Sequence, residues 1–70
     1  MEYTVKLTWD NEADVWGATS DDVSGLVLES GSFDALIERA RFAVPELLSL
    51  NHPASSPLSL KFVSERRENI

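Results

Sequence analysis

The chain contains no cysteine. Disulfide staples, thiolate metal sites and cysteine nucleophiles are therefore excluded. Histidine is almost as scarce, because His52 is the only one. A zinc site needs three or four ligands at set spacings, which a single imidazole does not supply. A nucleophile needs a base beside it, and the base needs an orienting group. His52 sits in the proline- and serine-rich segment 51–57 with no carboxylate near it in sequence, and reads as an exposed loop residue. Basic residues are few: six Lys and Arg stand against twelve Asp and Glu, a formal net charge of −6. Nucleic-acid binding depends on Lys and Arg displacing counterions from phosphates, so direct nucleic-acid binding is not expected. With only Gly17, Gly25 and Gly31, there is no glycine-rich phosphate loop. Long apolar runs are missing too. No stretch approaches the ~20 residues that span a bilayer. The opening MEYTVKLTWD lacks the basic start and apolar run of a signal peptide, so a soluble cytoplasmic protein is expected.

What remains is one small acidic domain. Seventy residues bury limited surface, and domains of this size lean on disulfides, metals or oligomerisation. With no cysteine, oligomerisation is the support left over, and a homo-oligomer is expected. The charge is unevenly spread. Residues 1–38 hold nine acids and one lysine, while residues 39–70 hold three acids and five Lys or Arg. Such an acidic half suits a basic protein partner, since opposite potentials steer association. It also suits plain solubility.

Tyr3, Val5, Leu7 and Trp9 alternate with Thr4, Lys6 and Thr8, the period of a half-buried strand. Residues 10–14 are polar turn formers, and Val15 to Thr19 resumes with β-branched and aromatic residues, which predicts a β-hairpin. A second loop ends at Gly25, which can take a positive φ without steric cost. Leu26 to Glu29 is a short third strand. Ser32 then offers a hydroxyl as N-cap, and Asp34 and Glu38 lie near the helix start, where acids are favoured. Phe33, Leu36, Ile37, Ala40, Val44, Leu47 and Leu48 form one apolar stripe at helical spacing. Pro45 interrupts that helix, and because the stripe continues in phase beyond it, one kinked helix is expected rather than two. Leu58, Leu60 and Phe62 alternate with Ser59 and Lys61 as a fourth strand. The order is βββαβ. It predicts an α/β two-layer sandwich, with a three-stranded antiparallel meander, the fourth strand parallel to the first, and one helix over one face. Residues 1–63 form the domain and 64–70 a flexible polar tail.

Chemistry is hard to find in this pattern. Asp10, Glu12 and Asp14 alternate like the start of a calcium loop, but Val15 stands where the glycine belongs and Asp21 where the bidentate glutamate belongs. The βββαβ order is shared with the core of ribonuclease-H-like nucleases, whose two metals are held by acids on the first strand, the helix and the strand after it. Asp10 and Glu38 match the first two places. The strand after the helix, Leu58 to Val63, holds no acid and has Lys61 instead, so the likeness is one of fold alone. No catalytic residue, cofactor or metal is assigned.

The run Val5-Lys6-Leu7-Thr8-Trp9-Asp10, then Glu12-Ala13, then Val15 to Asp22, resembles the HicB-like antitoxins, in particular a short and largely uncharacterised subgroup. Asp22-Val23-Ser24-Gly25-Leu26 is similar to that family's turn of aspartate, a hydrophobic residue, proline, glycine and leucine, with Ser24 in the proline's place. The segment Val44-Pro45-Glu46-Leu47-Leu48-Ser49-Leu50-Asn51 fits the same subgroup. The resemblance covers about residues 3–63. It implies a partial ribonuclease-H-like fold without nuclease activity, in a protein that covers a small, basic, RNA-cleaving HicA-type toxin. Many HicB-like proteins carry a C-terminal DNA-binding domain. The seven residues after Val63 cannot form one, so DNA binding is not carried over.

The expected function is thus a non-catalytic antitoxin-like module. Its expected contact surface is Asp10, Glu12, Asp14, Asp21 and Asp22 at the loop ends of the meander. One of Trp9 and Trp16 is a candidate exposed anchor, as tryptophan is enriched at interface hot spots, against core packing for both. The alternative is a stand-alone oligomeric binding domain with no toxin partner. A metal-dependent nuclease is the remote third.

Overall fold

The computed structural model describes residues 2–51 and 58–70. Strand β1 runs from Glu2 to Asp10, β2 from Val15 to Thr19, β3 from Val27 to Ser30 and β4 from Ser59 to Glu65, with helix α1 over Phe33–Asn51. The sheet order is β3-β2-β1-β4. β1 pairs antiparallel with β2 and parallel with β4, and β2 pairs antiparallel with β3. This is the expected βββαβ two-layer sandwich, with the helix supplying the crossover that a parallel strand pair requires. The loop reading of 51–57 fails at Asn51, which is the last residue of α1, and the rest of that segment, His52 included, lies outside the described residues.

Period-two alternation decides the two faces of the sheet. Val5 and Leu7 on β1 and Ala18 on β2 are fully buried beneath the helix. Leu36, Ala40 and Val44 meet them from α1, also fully buried. Tyr3, Trp16, Leu28, Phe33, Ile37, Leu60 and Phe62 pack around that centre. At ~25 cal/mol per Å2 of apolar area removed from water, these contacts are the main stabilising term. The opposite face is open. It presents Thr4, Lys6 and Thr8, which the strand register places beside Thr19, Lys61, Val63 and Glu65.

Local signals explain the ends of the elements. The Ser32 hydroxyl accepts from the Ala35 amide at 3.2 Å, and its carbonyl accepts from Leu36 at 3.1 Å, so Ser32 caps α1 as expected. Gly25 takes φ 85°, and the Leu47 side chain closes over it, 3.8 Å from where a β-carbon would stand. Leu26 and Val23, on either side of that turn, join the core. α1 continues as one helix through Pro45, whose exposed ring faces away from the sheet. The expectation for β4 needs correction: it ends at Glu65, two residues beyond Val63, so the strand after the helix does carry an acid. Parallel pairing with the long β1 draws the extra residues in, down to Thr8 opposite Glu65.

Candidate functional site

The seven residues expected to contact a partner fall into two groups at opposite ends of the sheet. Asp10, Glu12 and Asp14 belong to the β1–β2 turn. Asp21 and Asp22 belong to the β2–β3 loop, beside Thr4 near the start of β1. Thr4 and Asp10 lie six steps apart along β1, a span of about 20 Å. The five acids therefore do not form one patch.

Two of them are occupied by their own backbone. The Asp10 carboxylate accepts from the amides of Glu12 at 2.9 Å and Ala13 at 3.2 Å, and so closes the hairpin turn. Asp14 completes that turn with φ 54°, a left-handed conformation that aspartate tolerates better than most residues. At the other end, the Asp22 carboxylate accepts from the Thr4 amide at 2.8 Å. Ser20 works beside it. Its hydroxyl donates to the Thr4 carbonyl at 2.5 Å and accepts from the amides of Asp22 at 3.0 Å and Val23 at 3.2 Å. β2 stops at Thr19, opposite Lys6. Ser20 and Asp22 thus take over the pairing of β1 where its partner strand has ended. Glu12, Asp14 and Asp21 make no ion pair among the described residues and stand exposed.

The tryptophans form a row on the helix side of the sheet, at the hairpin end. Trp9 and Trp16 meet edge to face, with centroids 5.4 Å apart, and Trp16 meets Phe33 at 4.8 Å. The Arg66 guanidinium covers the outer end of the row, 4.4 Å from the Trp9 ring centre. The Trp9 indole N–H donates to Asn11 Oδ1 at 2.7 Å. Both rings are half-buried, so packing accounts for them and neither stands out as a free anchor.

The open face of the sheet holds a shallow concavity of about 530 Å3 lined by Thr4, Lys6, Thr19, Ser20, Asp21, Val63 and Glu65. An ion pair crosses it, Lys6 Nζ to Glu65 Oε2 at 3.6 Å. Of the residues expected from sequence, only Asp21 reaches this hollow. The sequence marks Lys6 only as a polar position of an alternating strand and Thr19 only as the end of the second strand, and it puts Glu65 in the polar tail beyond Val63. Thr19 comes beside Lys6 through the β1–β2 pairing, and Val63 and Glu65 join them through the β1–β4 register, which no local pattern encodes.

Asp10 and Glu65 lie on the open face of the sheet, whereas Glu38 is exposed on the helix that covers the other face and pairs there with Arg41 at 3.8 Å. The sheet separates these acids. Among the described residues, no three of His, Asp and Glu come together as a group that could hold a metal. No described helix is long and apolar enough to cross a membrane.

Comparison with known proteins agrees with the fold. A hypothetical protein from the extremely thermophilic bacterium Thermus thermophilus, known from its crystal structure, is 35% identical, with a TM-score of 0.85 over 100% of both chains. No curated protein matches this chain. The model for a domain of unknown function, DUF1902, matches residues 2–70, essentially the entire sheet-and-helix body described above, and the chain belongs to that family.

Proposed function

We propose that this chain is a non-catalytic protein-binding module of the HicB-like antitoxin kind, which neutralises a small, basic, RNA-cleaving HicA-type toxin by covering it. The observation that carries this reading is the distribution of unneutralised charge. Lys6, Arg41, Arg66 and Arg67 form their ion pairs with Glu38, Glu65 and Glu68. The acids of the meander have no cationic partner among the described residues, and Glu12, Asp14 and Asp21 also have no backbone amide to satisfy. Such carboxylates attract the Lys and Arg with which an RNA-cleaving protein grips phosphates. Occlusion needs no bond-making group in this chain. It needs only that acids compete with RNA for the same cations. Because the two acidic ends lie about 20 Å apart, the partner either grips one end or lies along the open face between them.

The test uses any small basic protein encoded beside this gene that cleaves RNA, expressed and purified with that activity intact. Stoichiometric addition of this chain should abolish cleavage, and added salt should weaken the complex. The triple variant Glu12→Gln/Asp14→Asn/Asp21→Asn should inhibit about tenfold less well, as expected for losing several exposed charge contacts. Asp10 and Asp22 are left intact because the fold uses them. Undiminished cleavage in the presence of excess chain rejects the proposal.

A further inference from the structure

The sheet has two edges, and the molecule treats them differently. β3 has four residues, and α1 guards it. The Leu28 carbonyl points inward, 3.8 Å from where Gly17 would carry a β-carbon, so the next carbonyl, that of Glu29, faces outward. Arg39 Nη1 donates to it at 2.8 Å. An edge blunted by a side chain in this way is a poor template for another strand. β4 is longer, with seven residues, and no described side chain bonds to its outer edge. Among the described elements, the helix backbone approaches β2 and β3 and does not come close to β4. Phe62 is only half-buried, and Val63 on the open face is 40% exposed.

We infer that β4 is a self-association edge, and that a second copy of this chain pairs with it antiparallel about a dyad at Val63. The side chains of β4 specify the register. Directly opposed residues in an antiparallel pair share a face. With Val63 facing its own copy, Lys61 of each protomer stands opposite Glu65 of the other, twice by symmetry. Phe62 becomes a diagonal neighbour of its counterpart on the helix side. A dyad at Lys61 would oppose lysine to lysine, and one at Glu65 would oppose acid to acid. A dyad at Phe62 would set Lys61 against Val63. Only the Val63 register opposes unlike charges directly. Lysine on an open edge ordinarily deters pairing. Here the acid four residues later turns that deterrent into a selector for one partner and one alignment. Lys61 has no ion-pair partner within its own chain among the described residues. The product is a continuous eight-stranded sheet with both helices on one side. The contact is isologous, as in most small homodimers. A contact made along one seven-residue edge strand is expected to be weak, with dissociation on the order of micromolar. None of this depends on the toxin reading.

Sedimentation equilibrium of the full chain, at concentrations from micromolar to submillimolar, tests the inference. The wild type should show a reversible monomer–dimer equilibrium. Lys61→Glu alone, and Glu65→Lys alone, should each weaken it by about tenfold, from two like-charge pairs at the dyad. A one-to-one mixture of these two variants should restore association. In the mixed dimer the introduced glutamate of one protomer faces the introduced lysine of the other, and the remaining native Glu65 faces the remaining native Lys61. Val63→Lys, which sets two cations against each other at the dyad while leaving the core untouched, should abolish dimerisation with an unchanged far-ultraviolet circular dichroism spectrum. A wild type that stays monomeric throughout, or variants that dimerise as well alone as when mixed, would overturn it.

Discussion

At the scale of the residue, the acidic side chains divide by what they touch. Ser20 illustrates how much one small side chain can carry. Its hydroxyl makes three hydrogen bonds that fasten the β2–β3 loop to β1. Ser20→Ala leaves a part-buried carbonyl and two amides short of a partner, and should destabilise the fold by about 1–2 kcal/mol in urea titration. Asp21, its exposed neighbour, is a control: Asp21→Asn should stay within about 0.5 kcal/mol of wild type. Equal effects at the two positions would contradict the roles assigned here. Sequence alone could not make this distinction. Asp10, Glu12, Asp14, Asp21 and Asp22 are all acids in polar loops, and composition marks them alike. Which carboxylate turns inward to meet an amide depends on where the neighbouring strand stops.

At the scale of the element, the helix was legible almost to its ends, because its evidence is local. Ser32 caps it, and the stripe of Leu36, Ala40 and Val44 lies at the spacing of one face. Phe42 falls off that stripe and is 71% exposed. Leu36→Ala should therefore cost about 2–5 kcal/mol, a large part of what a domain this size possesses. Phe42→Ala should be nearly neutral, and both are read from chemical denaturation midpoints. Pro45 is the element's internal flaw. It lies in mid-helix and withholds the amide that would bond the Arg41 carbonyl. Its exposed position leaves room for a replacement, so Pro45→Ala should stabilise the protein by about 1–3 kcal/mol and raise the thermal midpoint. A lowered midpoint would mean that the helix depends on its proline. The fourth strand was less legible than the helix. Its apolar alternation ends at Phe62, and only pairing with β1 carries it to Glu65.

At the scale of the whole molecule, the governing quantity is charge. With a net charge of −6 on a small body, like charges repel in the folded state. Screening should relieve that strain. Raising sodium chloride from low to moderate concentration should lift the thermal midpoint by several degrees, corresponding to roughly 0.5–1 kcal/mol. The variant Glu12→Gln/Asp14→Asn/Asp21→Asn should start higher and gain less. If it instead unfolds more readily than wild type, those acids serve the fold rather than a partner. The fold class was readable at this scale because alternation and helical periodicity both point one way. The candidate surface was not. It depends on which strands neighbour one another, and the β1–β4 pairing joins residues some 57 positions apart, Glu2 beside Ser59.

That same pairing bears on how the protein comes into being. A ribosome makes β1 first and β4 after every other element of the sheet. Until β4 emerges, β1 has no neighbour on one side, and the pocket awaiting Leu60 and Phe62 is bare. Hairpin and helix can form early, since their contacts are local, but the body closes only when synthesis has passed Glu65. The growing polypeptide thus passes through an interval in which the apolar face of a long strand lies open to the crowd around it, the moment at which chaperones would find it.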